Sequence, residues 1–144
     1  MRKAIPVLLV LLTFCAVVHA QPMPHRDYVV IVHPDNPTSR VSRGFLADAF
    51  LKRTIRWPDG ETIRPADLDS RSPVRRAFSE DLLERSVPAV RSYWQQIIFT
   101  GRGVPPVEVD DDAAAVRFVL RHRGAVAYVS GSAAIGRAKV LTVR

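Results

Sequence analysis

The chain reads as an α/β protein, a mixed sheet flanked by helices. Three observations predict this. Tyr28–Val32 and Ala125–Val129 are continuous apolar runs rich in β-branched residues, the pattern of strands covered on both faces. Between them lie stretches with apolar residues at helical spacing, each opened by a serine or aspartate suited to capping. Strands stand at both ends with helices between, an order that a sheet of mixed strand direction accommodates.

The elements follow in order. Tyr28–Val32 is the first strand, and His33-Pro34-Asp35-Asn36-Pro37-Thr38 breaks it with turn formers. Ser42 caps a helix that ends near Lys52; Val41 and Leu46 have staple spacing, and Phe45, Leu46, Ala49 and Phe50 share its inner face. Trp57-Pro58-Asp59-Gly60 is a turn joining an extended piece at Ile55 to a second strand near Thr62–Pro65. Ser72-Pro73 starts the next helix, because proline at the first helical position gives up an N–H that has no partner anyway. Val74, Ala77, Phe78 and Leu82 form its buried stripe. Ser86–Pro88 restarts the chain, and Val90, Tyr93, Trp94, Ile97 and Ile98 give the clearest amphipathic pattern. Gly101-Arg102-Gly103 and Pro105-Pro106 force a loop. Asp110–Asp112 suit a helix N-terminus, Val116, Val119 and Leu120 continue that helix, and Arg121-His122-Arg123 with Gly124 close it. Ala125–Val129 and Val140–Val143 complete the strands. Trp94, Phe50, Phe78, Ile97 and Val30 are the expected core.

Met1-Arg2-Lys3 is a basic start, Ala4–Val18 is apolar and uncharged, and Val18-His19-Ala20 places small residues where a signal peptidase reads. Residues 1–20 therefore read as a signal peptide, 21–27 as a flexible leader and 28–144 as one domain, with export to the periplasm or beyond the cell. An uncleaved anchor fits less well, since the apolar stretch is short for a bilayer and polar residues follow at once; no stable membrane span is expected after cleavage. The only cysteine, Cys15, lies in the signal, so a disulfide is not available to the mature chain. Phe14 before it is bulky where a lipid-modified cysteine follows a small residue.

Cleavage leaves a mature charge of +5, against +7 for the whole chain, carried mostly by arginine; Lys52 and Lys139 are the only mature lysines. The basic residues are scattered rather than stacked on one face with aromatics, which together with export argues against nucleic acid as a partner. Arginine suits oxyanions because its planar fork grips carboxylate or phosphate at two points. Catalysis finds little support. His25, His33 and His122 have no metal-ligand spacing, Asp110-Asp111-Asp112 reads as a charged helix start, and no nucleophile elbow or nucleotide-type phosphate loop occurs. No enzyme activity, cofactor or metal is expected. Asp69–Arg76 is the segment with binding chemistry. Ser70, Arg71, Ser72, Arg75 and Arg76 gather hydroxyls and guanidinium groups at a helix N-terminus, where free N–H groups and the helix dipole receive anions. Simple capping by Ser72, with the arginines in water, is the competing reading.

A family resemblance joins these segments. Asn36-Pro37-Thr38-Ser39, Phe45-Leu46, Ala49-Phe50-Leu51, Arg56-Trp57-Pro58-Asp59-Gly60 and Ser72-Pro73-Val74-Arg75-Arg76-Ala77-Phe78 resemble, in that order, the phosphate-type periplasmic substrate-binding proteins of ABC transporters. Tyr93-Trp94, Phe99-Thr100-Gly101 and Gly124–Val129 extend the likeness over nearly all the mature chain. The resemblance implies a type 2 periplasmic-binding fold, reduced to one lobe; full members hold the anion between two. It also implies losses. Aligning Phe78 with the family's helix phenylalanine sets Ser72-Pro73-Val74 against a Ser-Gly-Thr run and Leu68 against its anion-coordinating arginine. Only Ser72 survives, since proline has no N–H, valine no hydroxyl and leucine no charge. Each lost charge-assisted bond is worth about 1.5–3 kcal/mol. Two functions follow as expectations: a module binding phosphate or another oxyanion, serving ABC transport through a degenerate pocket and a permease partner, or an envelope interaction module with no small ligand that docks onto another protein.

Overall fold

A computed structural model describes residues 27–144; the signal peptide expected at 1–20, and all of the leader expected at 21–27 except Asp27, lie outside the described residues. The elements are β1 (Tyr28–Val32), β2 (Arg40–Val41), α1 (Arg43–Phe50), β3 (Arg64–Leu68), α2 (Pro73–Asp81), α3 (Val87–Phe99), β4 (Val107–Val109), α4 (Asp112–Arg121), β5 (Ala125–Ser130), β6 (Lys139–Val140) and β7 (Thr142–Val143). The main sheet runs β4-β3-β5-β1-β6, with β3 parallel to β4 and β5, and β1 antiparallel to β5 and β6. A small parallel pair, β2-β7, stands apart. This is the mixed sheet with flanking helices that the sequence predicts.

The register explains the layers. Directly paired residues share a face, so Val30, Val126 and Tyr128 lie on one side and Ile31, Ala127 and Val129 on the other. Tyr128 stacks on Phe78 of α2 at 3.8 Å with rings 7° apart, and Phe50 of α1 and Tyr28 close the cluster at 5.7 and 6.3 Å from Tyr128. Such aromatic pairs add about 0.5–1.5 kcal/mol each beyond their buried area. Ala115 and Val119 of α4 are fully buried, and α4 packs on β5, β3 and β1. Cover on both sides is why β5 is buried from Ala125 to Val129. No helix among the described residues is long and apolar enough to cross a membrane.

The serine caps form as expected. Ser42, Ser72 and Ser86 accept the N–H groups of Phe45, Arg75 and Ala89, and Asp111 accepts that of Ala114. The Trp57–Gly60 turn closes through Gly60 N–H to Trp57 C=O at 2.9 Å. The hairpin it makes rests on Gly124, where a Cβ would fall 1.9 Å from the Thr62 carbonyl oxygen. The Gly124 carbonyl itself takes the Trp57 indole N–H and the Arg64 N–H, both at 2.9 Å.

Three expectations need correction. The second strand runs 64–68 rather than 62–65: Thr62 is spent on a bridge to Arg56, and the charge at Asp67, which looks like a strand breaker, is satisfied inside the fold. Val140–Val143 is two strands, because Leu141 buries its side chain and donates its N–H to Val30, turning the chain from β1 toward β2. Ile97 is only half-buried and Ile98 is exposed. α3 packs mainly on α2 rather than on the sheet, so a narrow stripe, Val90 and Trp94, is all that is covered. β2 and β4 are too short to be read from periodicity.

Candidate functional site

The parallel strands β3 and β4 end together, and α2 and α4 begin there. In open α/β sheets this carboxyl end is where ligands bind. Between β3 and α2 the chain makes a tight turn, Ser72 N–H to Asp69 C=O at 2.9 Å, locked by Arg71 N–H on Asp69 Oδ1 at 2.9 Å. Of the first-turn N–H groups of α2, Pro73 has none, that of Arg75 goes to Ser72 Oγ at 3.4 Å, and that of Arg76 goes to the Ser72 carbonyl at 3.1 Å. Only the Val74 N–H remains without a partner among the described residues.

Beneath this turn lies an ionic cluster, buried at Asp67 and Arg75 and open to solvent at Glu108. Asp67 pairs in register with Glu108 on β4, and Pro65 with Val126 on β5, so by alternation Asp67, Glu108 and Tyr128 share one face. Arg75 comes down on them from α2: Nη1 to Glu108 Oε2 at 3.0 Å, Nη2 to Asp67 Oδ2 at 3.4 Å, and Nη1 to the Leu68 carbonyl at 2.6 Å. The Tyr128 hydroxyl donates to Asp67 at 2.7 Å and accepts the Leu68 N–H at 3.3 Å. Burial pushes the Asp67 carboxyl above the usual carboxylate range, while Arg75 and the Tyr128 hydroxyl pull it back. Burial, with Asp67 alongside, raises the Tyr128 hydroxyl well beyond the ordinary phenol value.

The five residues singled out by sequence therefore part company. Arg75 is 7% exposed and turned inward, held by two carboxylates. Ser70, Arg71, Ser72 and Arg76 line one cleft of about 280 Å³ with Pro73, Glu80 and Ser86. Arg71 is exposed there and leans on Asp69, Nε to Oδ1 at 3.0 Å, which holds the Asp69 carboxyl below its ordinary range. A neighbouring hollow is lined by Asp69, Arg71, Ser72 and Asp110, so two carboxylates stand beside the serines and arginines expected to receive an anion. Leu68, which takes the family's arginine position, is buried at the opposite face of the sheet from Asp67. Among the described residues no group of three histidine, cysteine or acidic side chains could hold a metal. The His122 Nδ1 and the Phe118 carbonyl are hydrogen-bonded at 2.9 Å.

Asp67 and Glu108 escaped the sequence reading. A charged residue inside the apolar run Pro65-Ala66-Asp67-Leu68 was the available signal: a carboxylate there needs a buried partner, and the next helix supplies arginines. Glu108 gave none, because three-residue strands carry no period.

No protein-family model and no curated sequence matches the chain. Solved structures do match in fold. An ABC-type phosphate transport receptor from Vibrio cholerae superposes with a TM-score of 0.63 at 16% identity, over 81% of this chain and 46% of its own. A Clostridium perfringens protein, described as a phosphate ABC transporter substrate-binding protein and solved with bound phosphate, gives 0.64 at 18% identity over 81% and 44%. PstS from Borrelia burgdorferi gives 0.62 at 11% identity over 82% and 47%. The chain spans less than half the length of these structures. It has the fold of one part of these phosphate substrate-binding proteins.

Proposed function

We propose that this chain is an exported substrate-binding-type module that receives an oxyanion, phosphate being the reference ligand, at the start of α2. The supporting observation is the cleft of Ser70, Arg71, Ser72 and Arg76, placed at the carboxyl end of parallel strands in a fold shared with phosphate receptors. Arg71 and Arg76 supply charge, Ser70 and Ser72 hydroxyls and Val74 its free N–H. Arg75 takes no part, since detaching it would strand Asp67 in a buried site. The grip is weak. The site is open to water, Pro73 removes a donor, and Asp69 and Asp110 repel a dianion at a distance that salt only partly screens. Such a module works where the ligand is abundant or where a docked partner, an ABC permease among them, closes the other side.

A second reading, an envelope interaction module with no small ligand, is favoured by the inward engagement of Arg75 together with the exposure of Ile98, Phe99, Val104 and Val107. Thermal melting separates the two. Under the first, phosphate raises Tm in proportion to the logarithm of its concentration above Kd, and Arg76→Ala or Arg71→Ala removes the rise. A Tm that stays flat to tens of millimolar phosphate overturns it, and a stable complex or oligomer by light scattering then supports the second.

A further inference from the structure

A second cleft, of about 380 Å³, lies on the far side of α2 from its first turn, where α1 and α2 end. The two ends are built alike. Each carries a left-handed residue, Lys52 and Glu84, both at φ 52°, and each is closed by the next N–H reaching back into the helix: Arg53 to the Asp48 carbonyl at 2.8 Å and Arg85 to the Ser79 carbonyl at 3.1 Å. That geometry sends Arg53 and Arg85 to the same place. Their guanidinium carbons stand 5.9 and 5.6 Å from the centre of the one Tyr93 ring, whose hydroxyl is tied to the Leu51 carbonyl at 2.9 Å. Arg43 lines the same cleft.

The charges there are unevenly matched. Arg43 is held by Asp81 at 2.9 Å and Arg53 lies 3.7 Å from Asp48, but Arg85 has no carboxylate within 4 Å among the described residues. Leu51, Leu82 and Leu83, each largely buried, show a small apolar strip at the base of an otherwise polar cleft. Convergent polar groups beside an apolar strip can fix the orientation of a small amphipathic ligand. Glu84, also on the wall, disfavours a dianion. We propose that this cleft binds a small organic acid, its single carboxylate held between Arg85 and Arg53 and its apolar body lying on Leu51, Leu82 and Leu83. The Tyr93 ring face attracts the Arg85 guanidinium at 5.6 Å and so holds it at the cleft without using its hydrogen-bond donors on a carboxylate.

Hexanoate is the probe, with 1-hexanol as the uncharged counterpart and inorganic phosphate as the anion without an apolar body. Hexanoate is expected to raise Tm in a saturable way that neither comparison reproduces. Arg85→Gln and Arg53→Gln are expected to raise the half-saturating concentration at least five-fold, and Arg76→Ala to leave it unchanged. Amide NMR shifts induced in the unsubstituted protein should cluster at residues 47–54 and 82–86, a readout that survives if a variant fails to fold. No saturable effect, an equal effect of hexanol, an equal effect of phosphate lost in Arg85→Gln, or shifts clustering at residues 70–76 would each overturn the proposal. Failure here leaves the phosphate test at the α2 start untouched, because the two sites share no residue.

Discussion

Arg75 and Arg76 are adjacent on α2, and their fates are opposite. Arg75 is buried against Asp67 and the Tyr128 hydroxyl, with the exposed Glu108 at its edge, beside the Phe78–Tyr128 stack. Arg76 stands in open water beside a cleft. One helical step of about 100° separates a residue that holds the domain together from one free to meet a ligand. A basic residue near a helix start is thus no evidence of binding until the strand beneath it is known. A carboxylate on that strand claims the arginine first.

The widest gap between the two regions should appear on truncation. Phe78→Ala, which empties the centre of the aromatic cluster, is expected to cost about 3–5 kcal/mol by denaturant unfolding. Arg75→Ala should cost about 3–5 kcal/mol as well, because it leaves Asp67 buried without its countercharge. If Arg75→Ala costs no more than Arg76→Ala, the contrast fails. Titration sharpens it. The Asp67 pKa is raised in the folded state, chiefly by burial, so the folded protein holds that proton more tightly than the unfolded chain. The contribution is full below the ordinary carboxylate pKa and is lost as pH rises through the higher folded one. Relative to Asp67→Asn, the unsubstituted protein should therefore lose stability with rising pH over that window; a pH-independent difference would place Asp67 outside the buried layer. At the open site the effects are small. Arg71→Ala and Arg76→Ala should change stability by no more than about 0.5 kcal/mol while abolishing the phosphate-dependent rise in Tm.

The sequence carried most of the scaffold because caps, turns and long apolar periods are local signals. Ser42, Ser72 and Ser86 each marked a helix within a residue of its start. What it could not carry was pairing at a distance. Asp67 meets Arg75 only because β3 lies under α2, and Glu108 joins them only through the register of a strand three residues long. The cleft at the two helix ends was equally invisible, since Arg53 and Arg85 are brought to one tyrosine by helices far apart in the chain. For the same reason the amphipathic pattern of α3 overstated its burial. Periodicity tells which face is apolar, but not how much of it a neighbour covers, and Phe99 remains 93% exposed.

Gly124 has a consequence for anyone re-engineering this scaffold. Its missing side chain lets the 55–63 hairpin lie flush on the exit of α4, and its carbonyl anchors both Trp57 and the first residue of β3. The hairpin and β3 thus hang from one atom. Loop grafts at Pro58–Gly60 should be tolerated, but a methyl group at position 124 would lift both anchors at once.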